Sequence, residues 1–299
     1  MLLAFDWTQL AQQIVIGLAS GGVWATLAVA LVLIYRSTGV VNFAQGEMAM
    51  FSTFVCWELL DRGLPYWGAF FLTLAISFLG GVLIERLVIQ TVSRSQALTV
   101  VTVTIGLLIL LNGAAAWIWK GEQRTLESPF PSDTFDIGGV VIAAQDLGII
   151  GVCLAIVLLL WAFFQRTRVG LALRAAAVNP DSSRLHGVRV SWMLALGWGL
   201  AAALGAVAGI LVAPTQGSFD QNLMLPVLIF AFAAAVLGGL DSPIGAVVGG
   251  VVLGVVLNLV GAYIDFFADL RLPAALLLIL LILLFRPNGL FGRIVVRRV

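Results

Sequence analysis

Long apolar runs without a charged residue dominate the chain and predict transmembrane helices. The clearest are Leu98–Trp119, Leu147–Phe164 and Leu272–Phe285. A helix needs about 20 apolar residues to cross the hydrocarbon core of a bilayer, whereas an outer-membrane barrel alternates apolar and polar positions. The pattern therefore predicts an all-α, polytopic transmembrane helix bundle of eight to ten spans. The predicted spans are 9–35, 42–60, 66–89, 97–119, 147–164, 191–213, 223–240, 243–262 and 272–286, which makes nine.

Composition supports a membrane protein, because 61% of the 299 residues are hydrophobic and only 10% are charged. A soluble domain carries about 25% charged residues, so a cytosolic enzyme, a nucleic-acid-binding domain and a secreted disulfide scaffold are excluded. Both cysteines, Cys56 and Cys153, lie in apolar runs and are expected to pack there. We expect no metal site and no cofactor. The one lysine, Lys120, follows no Walker-type glycine loop, so any ATP would be hydrolysed by another polypeptide.

Arginines are distributed unevenly and predict the topology. Segment 166–189 holds five arginines and one acid, and the tail 286–299 holds four arginines and no acid. Segment 121–146 instead holds five acids and one arginine. Basic loops stay on the cytoplasmic side. We therefore expect one transmembrane domain over 1–299, with loop 166–189 and the C-terminus in the cytoplasm, and with loop 121–146 and the N-terminus outside.

Glycines spaced four residues apart recur in the predicted spans. Small residues at this spacing allow helix backbones to approach closely in lipid, where packing replaces the hydrophobic driving force. Close helix packing is therefore predicted at four pairs: Gly17 with Gly21, Gly205 with Gly209, Gly245 with Gly249, and Gly250 with Gly254.

The basic segment Arg166–Arg189 is too polar to span a membrane but contains helix-forming residues. A first short helix is predicted over Leu171–Val178 and a second over Ser182–His186, with a break at Asn179-Pro180. Asn179 or Asp181 would cap the second helix, and Gly187 would end it. Two such helices at the cytoplasmic surface suit docking to another protein, and the alternative is a basic loop lying on lipid headgroups.

This segment resembles the cytoplasmic coupling loop of ABC-type branched-chain amino acid importer permeases, the LivH/LivM family. The residues that carry the resemblance are Arg174-Ala175-Ala176-Ala177 and Arg184-Leu185-His186-Gly187. Three further stretches are similar to family patterns, and with the loop they cover nearly the whole chain in order. They are Tyr35–Glu47, with Thr-Gly-Val-Val-Asn-Phe-Ala-Gln-Gly inside it, Leu237–Ala246 and Phe285–Gly292.

The resemblance implies a permease subunit of an ATP-driven importer, in the cell or inner membrane, with no enzyme activity of its own. A LivH-like chain would form the pore with a second, LivM-like permease subunit. Two cytoplasmic ATPase subunits would dock below, through Arg174, Ala175, Ala176, Ala177, Arg184 and Gly187, and an extracytoplasmic binding protein would deliver substrate. No nucleic acid is implied. Relatives of this type carry branched-chain or other small amino acids, urea or short amides, so the substrate stays open.

Polar residues inside apolar runs are the candidates for the substrate pathway, because such residues usually face a cavity or a partner. Asn42, Gln45 and Glu47 cluster where the first two predicted spans meet, and Asn112 and Asn258 lie deeper. The alternative for each is hydrogen bonding between helices, or support of the bend in the case of Asn42 and Gln45. Two other acids, Glu58 and Glu85, are near span ends and are expected to face headgroups.

Two other function classes fit the sequence less well. A self-sufficient secondary transporter or channel usually buries acids in mid-membrane, whereas nearly all of the fifteen acids here fall in predicted loops or at span ends, with Glu47 the main exception. An intramembrane enzyme needs a cluster of catalytic groups. The only histidine, His186, lies in the basic loop, away from both cysteines.

Overall fold

The fold is an α-helical bundle with one small hairpin, seen in a computed structural model that describes residues 6–92, 96–264, 266, 270–286 and 289–292. The long helices are α1 (Trp7–Thr38), α2 (Gln45–Asp61), α3 (Tyr66–Ile84), α5 (Ala97–Ile118), α6 (Ala144–Arg166), α9 (Val190–Val212), α10 (Met224–Gly238), α11 (Pro243–Tyr263) and α12 (Arg271–Phe285). A π-helix, Glu85–Ile89, joins α3 to the short α4 (Gln90–Val92). The remaining elements are β1 (Thr134–Ile137), β2 (Val140–Ala143), α7 (Arg168–Val178), α8 (Pro180–Leu185) and a 3-10 turn, Ala213–Gln216.

Each of the nine predicted spans corresponds to a helix, and the all-α bundle is confirmed. Within the described residues, six helices are long and apolar enough to cross a membrane. The other three are shorter: α2 has 17 residues, and α10 and α12 have 15 each. At about 1.5 Å per residue, 15 residues reach only about 22 Å, less than the hydrocarbon core of about 30 Å.

Helices α1 and α9 form the centre of the bundle. Helix α1 packs against α6, α9, α10 and α11, and α9 also packs against α2 and α3. The outer helices α3, α5, α6 and α12 expose many large aliphatic side chains. Hydrophobic residues on all sides of a helix are typical of a membrane span.

Glycine allows the most extensive helix contact, between α1 and α11. A Cβ added at Gly17 would lie 2.7 Å from the Cα of Val255, and one added at Gly21 would lie 2.7 Å from the carbonyl oxygen of Gly250. The other predicted pairs, near Gly205 and Gly245, also meet neighbouring backbone or side chains too closely for a Cβ. The predicted close packing is therefore confirmed.

The start of α2 differs from the prediction. Gly39 ends α1 with φ of 71°, and its N–H donates to the carbonyl of Tyr35. The chain then turns back into the bundle, and Asn42 and Ala44 are buried. Helix α2 begins beside Ala201, the twelfth of the 23 residues of α9. The predicted span 42–60 therefore begins inside the bundle rather than at its surface, because polar side chains there satisfy the unwound backbone.

A β-hairpin in segment 121–146 was not predicted. Strands β1 and β2 pair antiparallel through Ile137 and Val140, across Gly138 and Gly139, which have φ of 65° and 88°. Two consecutive left-handed residues are required by a type I′ hairpin turn, and Gly-Gly supplies them. The alternation is too short to stand out from the sequence.

The oppositely charged segments lie at opposite ends of the bundle. Gly139 of the hairpin contacts Thr8 at the start of α1, and the backbone of Arg124 pairs with Phe219 after α9. The basic helices α7 and α8 instead follow the far end of α6. Most arginines of the tail lie in 293–299, outside the described residues. Which end faces the cytoplasm stays a prediction.

We expect Gly250→Ala to destabilise the bundle, because its Cβ would lie 2.6 Å from the Cα of Ala25. Overpacking of this kind costs about 1–3 kcal/mol. Thermal unfolding of the purified chain in detergent measures the loss. Gly151→Ala in α6 is the matched control, because nothing lies within 4 Å of that position. Equal melting temperatures for the two variants would contradict the role of the contact.

Cysteine labelling tests the orientation. On a background without Cys56 and Cys153, a cysteine at exposed Asp133 should react with an impermeant thiol reagent added outside intact cells. A cysteine at exposed Ser182 should react only after the membrane is permeabilised. The reverse pattern would mean that the arginine partition does not set the topology.

Candidate functional site

Two of the predicted pathway residues, Asn42 and Gln45, form the turn before α2. Asn42 Oδ1 accepts the N–H of Ala44 at 3.0 Å, and its Nδ2 donates to Gln45 Oε1 at 3.3 Å. Gln45 Nε2 donates to the carbonyl of Ala201 at 2.9 Å. Both side chains are almost fully buried, so these contacts favour the alternative that the two residues hold the bend and fix α2 to α9.

Asn258 also joins two helices. Its Nδ2 donates to Ser20 Oγ in α1 at 3.0 Å and to the carbonyl of Gly254 at 2.9 Å. The side chain is buried beside the α1–α11 glycine contact. For Asn258 the geometry again favours hydrogen bonding between helices over contact with substrate.

Glu47 and Asn112 form the remaining polar pair. Asn112 Nδ2 donates to Glu47 Oε2 at 3.2 Å and to the carbonyl of Gln221 at 3.3 Å. Glu47 is buried in the first turn of α2, where the positive end of the helix dipole favours a carboxylate. The pair connects α2, α5 and the segment between α9 and α10, so a shift in one can reach the other two.

The headgroup-facing position predicted for Glu85 is wrong. Glu85 is 2% exposed and begins the π-helix that follows α3. Arg86 forms an ion pair with Glu85, and the Nε of Arg86 lies 3.9 Å from Glu85 Oε2. The guanidinium of Arg86 in turn lies 4.1 Å from the ring centroid of Trp192. Glu58 is partly exposed and pairs with Arg62.

A cavity of about 430 Å³ opens among α1, α10 and the two segments at the hairpin end of the bundle. Trp24 and Phe230 stack in it with ring centroids 4.4 Å apart. The full lining is Ser20, Trp24, Gln123, Gln216, Ser218, Phe219, Asp220, Asn222, Leu223, Pro226, Val227 and Phe230. None of these residues was predicted as a site. The signal that could have found them is Asp220-Gln221-Asn222, a polar interruption between two apolar runs.

The cavity reaches into the bundle toward the start of α2. Trp24 is the eighteenth of the 32 residues of α1, which places it near the middle of that helix. A Cβ at Gly46 would lie 3.1 Å from the side chain of Leu228, the residue after the cavity-lining Val227. Gly46 therefore packs directly behind the cavity wall, and Glu47 is the next residue in the chain.

The basic segment folds into two short helices, as predicted. Thr167 caps α7 by accepting the N–H of Gly170 at 2.9 Å. Asn179 caps α8 by accepting the N–H of Ser182 at 2.9 Å, and Asp181 instead pairs with Arg184 at 3.1 Å. Gly187 follows α8 with φ of 79°.

Each of the two helices ends in an exposed apolar residue. Leu185 is 89% exposed and Val178 is 75% exposed. Ala176 is only 1% exposed within the chain, so of the predicted alanine run Ala175 offers the accessible surface. Arg174 is half-buried, and its Nε has no hydrogen-bond partner among the described residues.

No group of three or more His, Cys, Asp or Glu side chains within the described ranges could hold a metal ion. Cys56 and Cys153 are buried and free. Cys153 contacts α1, where a Cβ added at Gly22 would lie 3.1 Å from its Sγ.

Comparison with known proteins identifies the family. Residues 13–285 match the family described as branched-chain amino acid transport system / permease component. The chain belongs to this family. It is 30% identical to the high-affinity branched-chain amino acid transport system permease protein BraD of Pseudomonas aeruginosa, over 96% of this chain and 97% of BraD. It is 29% identical to LivH of Salmonella typhimurium over the same shares. The chain is also similar to a solved structure, PsaBC from Streptococcus pneumoniae in complex with a Fab. The match covers 89% of this chain and 89% of the other, with 17% sequence identity and a TM-score of 0.48.

Membership of this permease family and six apolar helices make the chain a multi-pass membrane protein with a transport role. The predicted family resemblance is therefore confirmed. Five residues were predicted to line the substrate pathway. Asn42 and Gln45 hold the bend before α2, and Asn258 joins α11 to α1. Glu47 and Asn112 form a hydrogen-bonded pair beside the cavity.

Substitution of Gln45, which joins two helices, and of Glu47, which lies beside the cavity, should have different effects on stability and on uptake. Gln45→Ala should lower the melting temperature of the chain, because it removes the hydrogen bond from Nε2 to the buried Ala201 carbonyl, which contributes about 0.5–1.5 kcal/mol. Glu47→Gln keeps the size of the side chain and an oxygen that can accept from Asn112. It should leave melting nearly unchanged and lower uptake. An equal loss of melting temperature in both variants would make Glu47 purely structural.

Proposed function

We propose that the chain is the transmembrane permease subunit of an ATP-driven importer for branched-chain or other small amino acids. It forms the pore with a second permease subunit and takes its energy from separate ATPase subunits. The observation that carries the proposal is the match to the permease family over residues 13–285. Substrate would reach it from an extracytoplasmic binding protein.

Coupling to a separate ATPase is supported by helices α7 and α8. Leu185 and Val178 are apolar and exposed on a segment that is otherwise rich in arginine. An exposed apolar surface with a polar rim is typical of a protein contact. Helix α7 also packs against α1, α6 and α9, so a push on this segment is transmitted to the two central helices.

Pairing with a second permease subunit is supported by the outer face of α5. Beside its exposed aliphatic side chains, α5 carries four exposed small or polar residues. They are Thr99, Thr102, Gly106 and Gly113, and nothing lies within 4 Å of a Cβ added at either glycine. In lipid, such residues favour close contact with another helix.

The charges support one orientation. The arginines of 166–189 favour the cytoplasmic side of the cell or inner membrane for α7 and α8, where an ATPase has access to ATP. The cavity then opens outward, at the side from which a binding protein delivers substrate.

We expect Leu185→Asp to weaken ATPase docking by about tenfold or more, since burial of a leucine contributes roughly 1.5–3 kcal/mol. Copurification of the ATPase subunits with the tagged permease measures the effect. Ile137→Asp in the hairpin is the matched control, because it makes the same change at an exposed residue at the other end of the bundle.

Both variants should insert and melt like the wild type, because neither residue is packed in the core. If Leu185→Asp retains the ATPase subunits and the wild-type uptake rate, α7 and α8 are only a surface loop, and the proposed coupling through them is wrong.

A further inference from the structure

The β-hairpin presents an apolar face, part of which is exposed. In the register of the two strands, Phe135 lies opposite Ile142 and Ile137 lies opposite Val140. Successive side chains alternate between the two faces of a strand, so these four share one face. Phe135 is 49% exposed and Ile137 is 64% exposed. Strand β1 therefore carries two large apolar side chains that are open to their surroundings.

This apolar face turns toward the bundle on β2 and extends past the bundle on β1. Val140 and Ile142 are half-buried, whereas Val141 between them is exposed. Strand β2 packs against α1 and α6, and the main contact of β1 is with β2. Asp136 is exposed on the opposite face of β1, and its Oδ1 accepts the N–H of Gly139 at 2.8 Å. The exposed apolar side chains therefore share the face that touches the bundle, and the acid lies on the other face.

Exposed tryptophans mark the height of the hairpin relative to a bilayer, because tryptophan is enriched at the membrane–water interface. Three of them lie at the hairpin end of the bundle: Trp7 at the start of α1, Trp67 at the start of α3 and Trp117 at the end of α5. Trp7 immediately precedes Thr8, whose Cγ2 would lie 3.3 Å from a Cβ added at Gly139. The tip of the hairpin is therefore level with an interfacial tryptophan.

The length of α6 places the base of the hairpin at the same level. Helix α6 begins at Ala144, directly after β2, and carries the exposed Trp161 near its other end. At about 1.5 Å per residue these two positions are about 26 Å apart, close to the hydrocarbon thickness of about 30 Å. Between them α6 exposes Leu147, Leu154 and Leu158. The hairpin thus lies at the edge of the hydrocarbon core, next to a lipid-facing helix.

We infer that strand β1 lies on the bilayer surface, with Phe135 and Ile137 inserted among the lipid headgroups and the tops of the acyl chains and with Asp136 in water. A soluble protein would approach the face that carries the acid, whereas the apolar face is turned toward the lipid around α6. The inference depends neither on the transported substrate nor on which end of the bundle is cytoplasmic.

A membrane-seated strand holds one end of the central helix α1. The tip of the hairpin contacts Thr8, and β2 packs against α1 and α6, so the hairpin connects the lipid surface to both helices. Trp24 of the same α1 lines the cavity. Segment 121–146 then belongs in part to the membrane-bound body of the protein and is not a loop free in water.

Collisions of spin labels with paramagnetic reagents test the contact. Phe135→Cys, Asp136→Cys and Ile137→Cys are made singly in the full chain with Cys56→Ala and Cys153→Ala, and each cysteine carries a nitroxide. The chain is reconstituted in vesicles of phosphatidylcholine and phosphatidylglycerol. Molecular oxygen concentrates in lipid, whereas a nickel ethylenediaminediacetate complex stays in water. The ratio of oxygen to nickel collisions should be several-fold higher at 135 and 137 than at 136.

Two further labelled positions calibrate the ratio. Leu158→Cys, on the exposed surface of α6, gives the value in lipid, and Ser182→Cys, exposed in the basic segment, gives the value in water. Ratios at 135 and 137 equal to that at 182 would place the apolar face in water and overturn the inference. Few collisions with either reagent at 135 and 137 would mean that protein covers the face, which would overturn it as well.

A second measurement needs no substitution in the hairpin. The vesicles then contain a phosphatidylcholine with a photoactivatable diazirine near the top of one acyl chain, and light crosslinks this lipid to the unmodified chain. Mass spectrometry of the peptides should find lipid adducts on Phe135 or Ile137. Adducts on α6 with none in 133–143 would contradict the inference, even if the labelled variants fail to fold.

Discussion

The close backbone contact between α1 and α11 is the constraint on which the rest of the bundle depends. In lipid there is little hydrophobic gain from pairing two apolar helices, so their attraction comes from packing and hydrogen bonds. Glycines at 17, 21, 250 and 254 remove the side chains that would separate the backbones. That approach also brings Asn258 within 3.0 Å of Ser20. With one face of α1 packed against α11, its other faces are free to pack against α9 and α10.

The unwound segment before α2 solves a second problem of the membrane interior. A backbone without helical hydrogen bonds is tolerated at this depth only where protein groups replace water. Asn42 and Gln45 supply those groups, so both side chains are engaged in hydrogen bonds that hold the bend. The same turn exposes the positive end of α2 to Glu47, and Asn112 connects that carboxylate to the segment beside Asp220.

The cavity and the basic helices are thus joined by continuous packing. Trp24 lines the cavity, and its helix, α1, contacts α7 near the opposite end of the bundle. A ligand that separated α1 from α10 would act on the helix that also bears on α7. The single chain therefore contains a continuous line of packed helices from the cavity at the hairpin end to the segment that we propose docks to an ATPase.

The sequence by itself determined the class of protein, the nine helices, the two short basic helices and the glycine contacts, because each depends on local composition and spacing. It also carried the family resemblance, through motifs distributed along the chain. Only the tertiary structure decided which polar residues hold helices together, that α2 starts inside the bundle and that Glu85 is buried. It alone brought Trp24, Asp220 and Phe230 into one cavity. A polar residue in an apolar run looks the same in sequence whether it faces a carbonyl or a ligand, because its partners come from distant parts of the chain.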